Sequence, residues 1–444
     1  MNLKSIKWKL TSAQVIILGF AAVILGGSFL LMLPFAKQGT GSATFLEALF
    51  TATSAVCVTG LIVQDTATYW SVFGQMVILI LIQIGGLGVV TVASLISMKS
   101  GKKISLMQRS TMQESISAPQ VGGIVRLTVF ILKMTVFFEL VGAVCLATVF
   151  IPQVGLLKGV WYSLFHSISA FCNAGFDLMG INAPYSSLTA FSDNTMINLT
   201  VMLLIVIGGI GFLTWEDVVT KKLQIKKYRM QSKVILSVSA FLIVVPAIYF
   251  YLFEFSEMFG KERVLNSLFQ SVTTRTAGFN TADLTKISET GILLMCLLML
   301  VGGSPGSTAG GMKTTTLAVL FGNMISVFRR REHVHFYGRR VPEETVRNAA
   351  AILSMYLFLC VGGAMAISKM EGIPMITCLF ETASAVGTVG LTLGITPELG
   401  TVSRLILILL MYLGRVGGLT VIFATVTGTR TGGAKYPQEK MTVG

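Results

Sequence analysis

Apolar runs of about twenty or more residues follow one another along the chain, over approximately 13–35, 71–98, 124–151, 194–219, 232–255, 287–328, 346–368 and 402–427. A helix of about 20 apolar residues crosses the hydrocarbon core of a bilayer, so the pattern predicts eight spans. Four shorter apolar stretches lie between them: ATFLEALFTATSAVCVTGL, WYSLFHSISAFCNAGF, VLNSLFQSVTTRTAGFN and MITCLFETASAVGTVGL. They are too short to span, and each interrupts itself with Ser, Thr, Ala and Gly. Aligned on their aromatic, they run Phe50 to Gly60, Phe165 to Gly175, Phe269 to Gly278 and Phe380 to Gly390, the third being one residue shorter. The order span, half-helix, Gly-ending strand, span therefore recurs four times. It predicts an all-α polytopic membrane protein of four tandem helix–pore loop–helix units around one pseudo-fourfold axis. The expected units are 13–98 (pore loop 43–61), 121–220 (160–176), 231–330 (262–280) and 343–428 (374–391), followed by a cytoplasmic tail, 429–444.

Composition agrees with lipid as the solvent. The 444 residues are 53% hydrophobic and only 12% charged, with a mean hydropathy of +0.77, which would leave a soluble chain with far too much exposed apolar surface. A net charge of +14 would suit nucleic acid as a partner. Here, however, the basic residues form short tracts in every second connection: Lys4 to Lys9, Lys99 to Arg109, Lys221 to Lys233, Arg329 to Arg347 and Arg430 to Lys440. The intervening connections carry Asp65, Asp177, Asp193, Glu257, Asp283 and Glu398. That alternation is the positive-inside bias and places the basic side, with both termini, in the cytoplasm of a multi-pass cell-membrane protein that binds no nucleic acid. MNLKSIKWKL resembles the start of a signal peptide, but the apolar run after it is too long and lacks a small-residue cleavage site, so a retained first span is expected. Six cysteines show no CxxC or metal spacing. No ligand cluster, nucleophile–base pair or cofactor fingerprint points to an enzyme, and no cofactor bound by this chain is expected.

The interrupted segments carry the candidate chemistry. Backbone that leaves helical geometry at membrane depth exposes N–H and C=O groups at several kcal/mol each, and is tolerated only against water or protein. A re-entrant helix aimed inward brings its partially negative C-terminus to the axis, which favours a cation. Gly then permits angles that turn carbonyl oxygens toward a shared centre, where such rings replace the hydration shell of potassium. The candidate filter is Val58, Thr59 and Gly60; Asn173, Ala174 and Gly175; Thr276, Ala277 and Gly278; Thr388, Val389 and Gly390. Gly and Ser in membrane helices also serve close packing, but fourfold recurrence favours the filter.

On these segments, and on LIQIGGLG, STAGGMKTTT, LGRVGGLT and KYPQEKMTVG, the whole chain resembles the Trk/Ktr/HKT superfamily of potassium transporters, and most of all the bacterial Ktr-type membrane (ion-translocating) subunit. The resemblance implies potassium uptake, with sodium as a candidate activator, a homodimer, and control by a cytosolic ring of nucleotide-binding (RCK-type) subunits. The chain has no GxGxxG or βαβ pattern of its own, so a nucleotide effect would need a separate subunit. The basic inner loops suit such a partner and anionic membrane lipid equally.

The sixth run is split by GGSPGSTAGGMK, the one broken span the pattern reveals. Gly306 and Gly311 have phosphate-loop spacing, but Met312 precedes Lys313 and no strand leads in, so nucleotide binding is rejected. In the superfamily the matching segment is an intramembrane gate, which implies that role for the loop 302–315 and in it for Gly302, Gly303, Ser304, Gly306, Ser307, Thr308, Gly310, Gly311 and Lys313. Arg415, inside the last span, matches an arginine associated with that gate. Its partner could be loop carbonyls or a carboxylate, since intramembrane charge is usually paired or turned to water. Glu139 is the only carboxylate that looks deep, and pairing with a neighbouring helix is expected for it. Glu216 and Asp217 are expected solvated or paired at the inner mouth, His166 packed or hydrogen-bonded, and Asn198 unglycosylated. The rival reading is an ion-coupled carrier with alternating access, against which stand the parallel sense of the four units and the single broken span.

Overall fold

The computed structural model describes residues 11–99, 104–118, 120–181, 183–418 and 420. Lys4, Lys7, Lys9, Lys102, Lys103, Arg430, Lys435, Lys440, both termini and the tail 429–444 lie outside the described residues, as do the last residues of the eighth run. Helix dominates, and among the described residues the only sheet is a hairpin of two short strands, His335–Phe336 and Arg339–Arg340. The protein is an all-α, multi-pass membrane protein.

Among the described residues four helices are long and apolar enough to cross a membrane: Ser12–Leu31, Ile124–Val154, Met230–Tyr249 with its π-helical extension Phe250–Glu254, and Glu343–Glu371. They turn large apolar side chains such as Phe29, Phe137, Phe241 and Phe358 outward, as a helix does when its solvent is lipid. A short helix follows each of them: Phe45–Val56, Leu156–Phe171, Gly260–Thr273 and Met375–Gly387. These form the core instead. The aligned aromatics Phe50, Phe165, Phe269 and Phe380 are all wholly buried. Thr44 opens the first short helix with a capping box to Glu47, satisfying two of the N–H groups a helix start leaves free.

The third helices of the units hold the main departure from expectation. The first, Val72–Leu87, breaks at Gly88 and continues as Val89–Lys99 at 95°. Thr195–Gly209 breaks before Phe212–Lys221 at 98°. Glu289–Leu300 gives way to the loop before Thr314–Phe328, and Thr401–Val416 ends at Gly417. The expectation of a single broken span is therefore corrected: all four inner helices stop at an irregular point. In the first, second and fourth the cause is a spaced glycine pair. Gly85, Gly208 and Gly414 each lie against a backbone carbonyl of a short helix, Val56, Phe171 and Val386 respectively, so close that any Cβ would collide. Three residues later Gly88, Gly211 and Gly417 take φ of +87°, +92° and +88°, which turns the chain at little cost only for glycine.

The first expectation follows from that packing. Gly208→Val drives a side chain into the Phe171 carbonyl and should cost about 1–3 kcal/mol, read as a lower midpoint for retention of the folded peak by size-exclusion chromatography after heating. Gly362→Ala, in a long helix with nothing near its Cβ position, should be neutral or stabilising by up to about 1 kcal/mol.

Candidate functional site

The four Gly-ending segments meet in a closed cycle. A Cβ on Gly60 would strike Ala174 O, on Gly175 Ala277 O, on Gly278 Val389 O and on Gly390 Thr59 O, each at 2.7 Å or less. The order around the ring is thus first, second, third, fourth, with the second opposite the fourth. Each of the four glycines has positive φ, +92°, +70°, +81° and +96°. So has the residue two before it: Val58, Asn173, Thr276 and Thr388, at +50°, +58°, +82° and +52°. Left-handed backbone at a β-branched residue is strained, and such strain persists only where the surroundings impose it. Here it is imposed on three β-branched residues, and Asn173, which tolerates that region, takes the same form at the equivalent place in the second segment.

Hydroxyls buttress the ring from behind. Ser54 Oγ and Ser384 Oγ accept from the Gly60 and Gly390 N–H groups at 3.0 Å. Ser169 and Thr273 donate instead to the Phe176 and Phe279 carbonyls, at 2.7 and 2.5 Å. With the Asn173 amide oriented to satisfy both ends, its oxygen accepts from the Thr276 hydroxyl at 3.2 Å. The buried hydroxyls of Thr59 and Thr388 have no partner. On one side all four glycines line a single cavity together with Asp177, Asn280, Thr392 and Glu398.

On the other side runs the loop between Leu300 and Thr314. It is held from several directions. The N–H groups of Ser304 and Thr308 donate to Gly209 O and Gly208 O at 2.9 and 3.2 Å, and that of Gly311 to Gly414 O at 3.3 Å. Phe212 N–H donates to Gly306 O at 2.6 Å, Gly302 N–H to Met312 O at 2.8 Å and Thr314 N–H to Gly303 O at 3.0 Å. The Ser304 and Thr314 hydroxyls pair at 3.1 Å, and Ser307 Oγ donates to Ser304 O. Thr308 Oγ1 reaches Phe171 O at 3.0 Å, just behind the ring, and Gly310 lies directly under the Thr388 side chain. The residues expected from Gly302 to Lys313 are thereby gathered beneath the ring.

Both cations bind carbonyls. Lys313 Nζ donates to Ala309 O at 2.8 Å and Gly310 O at 3.4 Å. Arg415 Nη1 donates to Thr308 O, and Nη2 to Gly85 O and, at 3.4 Å, Gly86 O. Among the described residues neither forms an ion pair. The alternatives for Arg415 resolve to carbonyls, and its fork ties the loop to the break in the first inner helix.

Glu139 does pair with a neighbouring helix, accepting from Gln83 Nε2 at 3.3 Å. It is not the only deep carboxylate, however. Glu381 is fully buried and Asp217 nearly so, because each has donors enough to leave water. Asp217 is paired with Lys221 and Arg229, and Glu216 with Arg229. His166 Nδ1 faces Tyr162 O at 2.7 Å and must carry the proton, which leaves Nε2 to accept from Leu178 N–H at 3.2 Å. Asn198 is buried and donates to Phe191 O and Asn194 O. Arg275 went unremarked in the sequence. It is only 7% exposed, with Nη2 on Ser239 Oγ at 3.2 Å and Nε unpartnered. A charge inside TTRTAGFN was the available signal. Among the described residues no cluster of His, Cys, Asp or Glu could hold a metal ion.

A multi-pass helical protein whose four short helices converge on one ring, with a tethered loop beneath it, has the architecture of a membrane transport protein. The chain belongs to the TrkH family of cation transport proteins, which it matches over residues 10–429. It is 41% identical to the potassium/sodium uptake protein NtpJ of Enterococcus hirae, over 99% of each chain. It is 38% identical to the Ktr system potassium uptake protein B of Bacillus subtilis, again over 99% of each. The crystal structure of the potassium transporter TrkH from Vibrio parahaemolyticus shares the fold, with a TM-score of 0.74 at 18% identity over 95% of this chain and 86% of that one.

Asp177 lies in the connection beyond the ring, outside the spanning helices. Burial pushes its carboxyl up, Met179 N–H pulls it down and the Asp65 carboxylate raises it again, to about 7 from the usual 3.8. A raised carboxyl is neutral below that value and anionic above it. Cation uptake at subsaturating concentration should therefore rise about twofold as the pH on the Asp177 side goes from 6 to 8, since one nearby charge in a solvated mouth is worth only a fraction of a kcal/mol. Asp177→Asn should flatten that segment of the pH profile, measured as initial tracer uptake.

Proposed function

We propose that this chain takes up potassium across the cell membrane, through a carbonyl-lined filter made by Val58 to Gly60, Asn173 to Gly175, Thr276 to Gly278 and Thr388 to Gly390. The four tandem units 13–98, 121–220, 231–330 and 343–428 surround the pathway, with both termini cytoplasmic. The observation that carries this reading is the ring itself: four uncharged segments in a closed cycle, each with two left-handed residues at the same spacing. Backbone held in that form at membrane depth has no role in simple helix packing. The named activities of the relatives, potassium uptake in each and sodium also in one, agree with the ion. The unpartnered hydroxyls of Thr59 and Thr388 are further oxygens free to serve a partly dehydrated cation.

The loop from Gly302 to Lys313 is the gate, and Arg415 its latch. A homodimer controlled by a cytosolic nucleotide-binding ring, with sodium as activator, completes the reading. Potassium flux into liposomes that persists without a proton gradient separates this pathway from an alternating-access carrier.

Gly175→Ser or Gly278→Ser places a side chain against the next segment's carbonyl. Either should lower discrimination between potassium and sodium by at least about tenfold, roughly 1.4 kcal/mol, before it lowers the amount of protein in the membrane. Competitive uptake of the two ions reads this, and unchanged discrimination in both variants would remove the filter assignment.

Arg415→Gln removes charge-assisted hydrogen bonds, each worth about 1.5–3 kcal/mol, that hold the loop. Basal flux should rise by roughly tenfold or more. Arg415→Lys, which keeps the charge but not the fork, should be intermediate. Identical open probability in single-channel recordings from all three proteins would leave Arg415 as an interfacial anchor only.

A further inference from the structure

The ring is fourfold in outline, but its supports are not. The residue after each buried core phenylalanine, deep on the short helix, is Thr51, His166, Gln270 or Glu381. In the second unit His166 Nε2 accepts from the N–H of Leu178, three residues past Gly175, at 3.2 Å. In the fourth, Glu381 Oε1 accepts from the N–H of Leu393, three residues past Gly390, at 3.1 Å. It also takes the Thr392 hydroxyl on Oε1 and the Thr396 hydroxyl on Oε2, the latter at 2.8 Å. Both side chains are wholly buried.

The other two units lack this tie. Thr51 Oγ1 and Gln270 Oε1 are buried without a partner. Their connections are fastened one helical turn further out instead, Glu47 Oε1 accepting from Gln64 Nε2 at 2.7 Å and Asn266 Oδ1 from the Thr281 hydroxyl at 2.6 Å. Because the second segment faces the fourth across the ring, the deep clamps sit on one diagonal and the shallow ones on the other.

We infer that His166 and Glu381 are positioning residues for cation selection, a reading that rests on the filter proposed above. Each fixes the chain just beyond its filter glycine, so together they hold one diagonal of the ring at set width. A monovalent cation smaller than the preferred one gains contact only if the strands close in or admit water. Two strands clamped at the deep position resist that closure, while the pair fastened only from one helical turn further out yields more readily to ion passage. Glu381 holds three donors and His166 one, so the fourth strand is the firmer.

The test is the ratio of rubidium-86 to sodium-22 uptake into liposomes containing the full chain, with protein amount and thermal retention measured alongside. Glu381→Leu should lower the ratio about tenfold and His166→Leu about threefold. Glu381→Gln and His166→Gln, which keep an acceptor in place, should stay within about twofold of the parent. Thr51→Val and Gln270→Leu, at the matching positions without a clamp, should also stay within about twofold. If the leucine variants do not reach the membrane, Thr392→Val, which removes one donor from Glu381, should lower the ratio about twofold to threefold. Gly175→Ser serves as reference. If it alters the ratio while the leucine variants, or Thr392→Val in their place, do not, the clamps are merely structural and this inference falls while the filter stands. If Gly175→Ser leaves the ratio unchanged, the filter reading fails and takes the clamps with it.

Discussion

Everything at the centre of this protein follows from one constraint: a peptide group that leaves a helix inside a bilayer must find its hydrogen-bond partner in the protein. Near its centre the molecule leaves helical geometry at four ring segments, at three glycine breaks and along the loop from Val301 to Lys313, which touch one another. The ring segments are served by Ser54, Ser169, Thr273 and Ser384. The loop is served by the very carbonyls that the breaks release, since Gly208, Gly209 and Gly414 accept from its N–H groups. The irregular parts thus satisfy one another, and disturbing one exposes polar groups in its neighbours.

Arg415 fits the same logic. The glycine pairs 85/88, 208/211 and 414/417 enclose equivalent positions, occupied by Gly86, Gly209 and Arg415. In the first two units glycine there lets a neighbour approach, Cys172 against Gly86 and Asn173 near Gly209. In the fourth the same position carries a rigid fork of donors, aimed at carbonyls of the first inner helix and of the loop. Among the described residues the guanidinium meets carbonyls and no carboxylate. In the proposed pathway one side chain would thus set both the position of the loop and an electrostatic barrier.

The four interrupted segments and the glycine-rich loop were legible in the sequence because they break hydropathy, the strongest signal such a chain carries. Arg415 stood out because charge is rare in a span. The other inner-helix breaks were not read, since G-x-x-G within an apolar run leaves hydropathy intact and looks like helix packing. The left-handed angles at Val58, Thr276 and Thr388 run against the preferences of β-branched residues, so no local rule could have indicated them. Glu381 is legible in the sequence as one of few acids in the apolar phase but not as a deep one, and it is buried because the turn after Gly390 supplies it with donors from 11 to 15 residues away. Arg275 shows the reverse: it was visible as a charge, but its burial between helices depends on tertiary packing.

The symmetry of the molecule falls with distance from the axis. At the ring the four segments share backbone form almost without exception, as the proposed filter requires, since an ion on the axis would interact equally with all four. One layer behind, supports alternate in pairs, His166 and Glu381 against Thr51 and Gln270. Beneath the ring only one unit contributes a loop, and only one contributes Arg415. Each step matches what the proposed pathway would ask of that layer. Coordination of a spherical ion would reward equivalence, holding a width would need only one diagonal, and a gate filling the axis could come from one segment. A single chain with four diverged units can meet all three demands, whereas four identical subunits would have to repeat the loop and the arginine four times in a space that holds one.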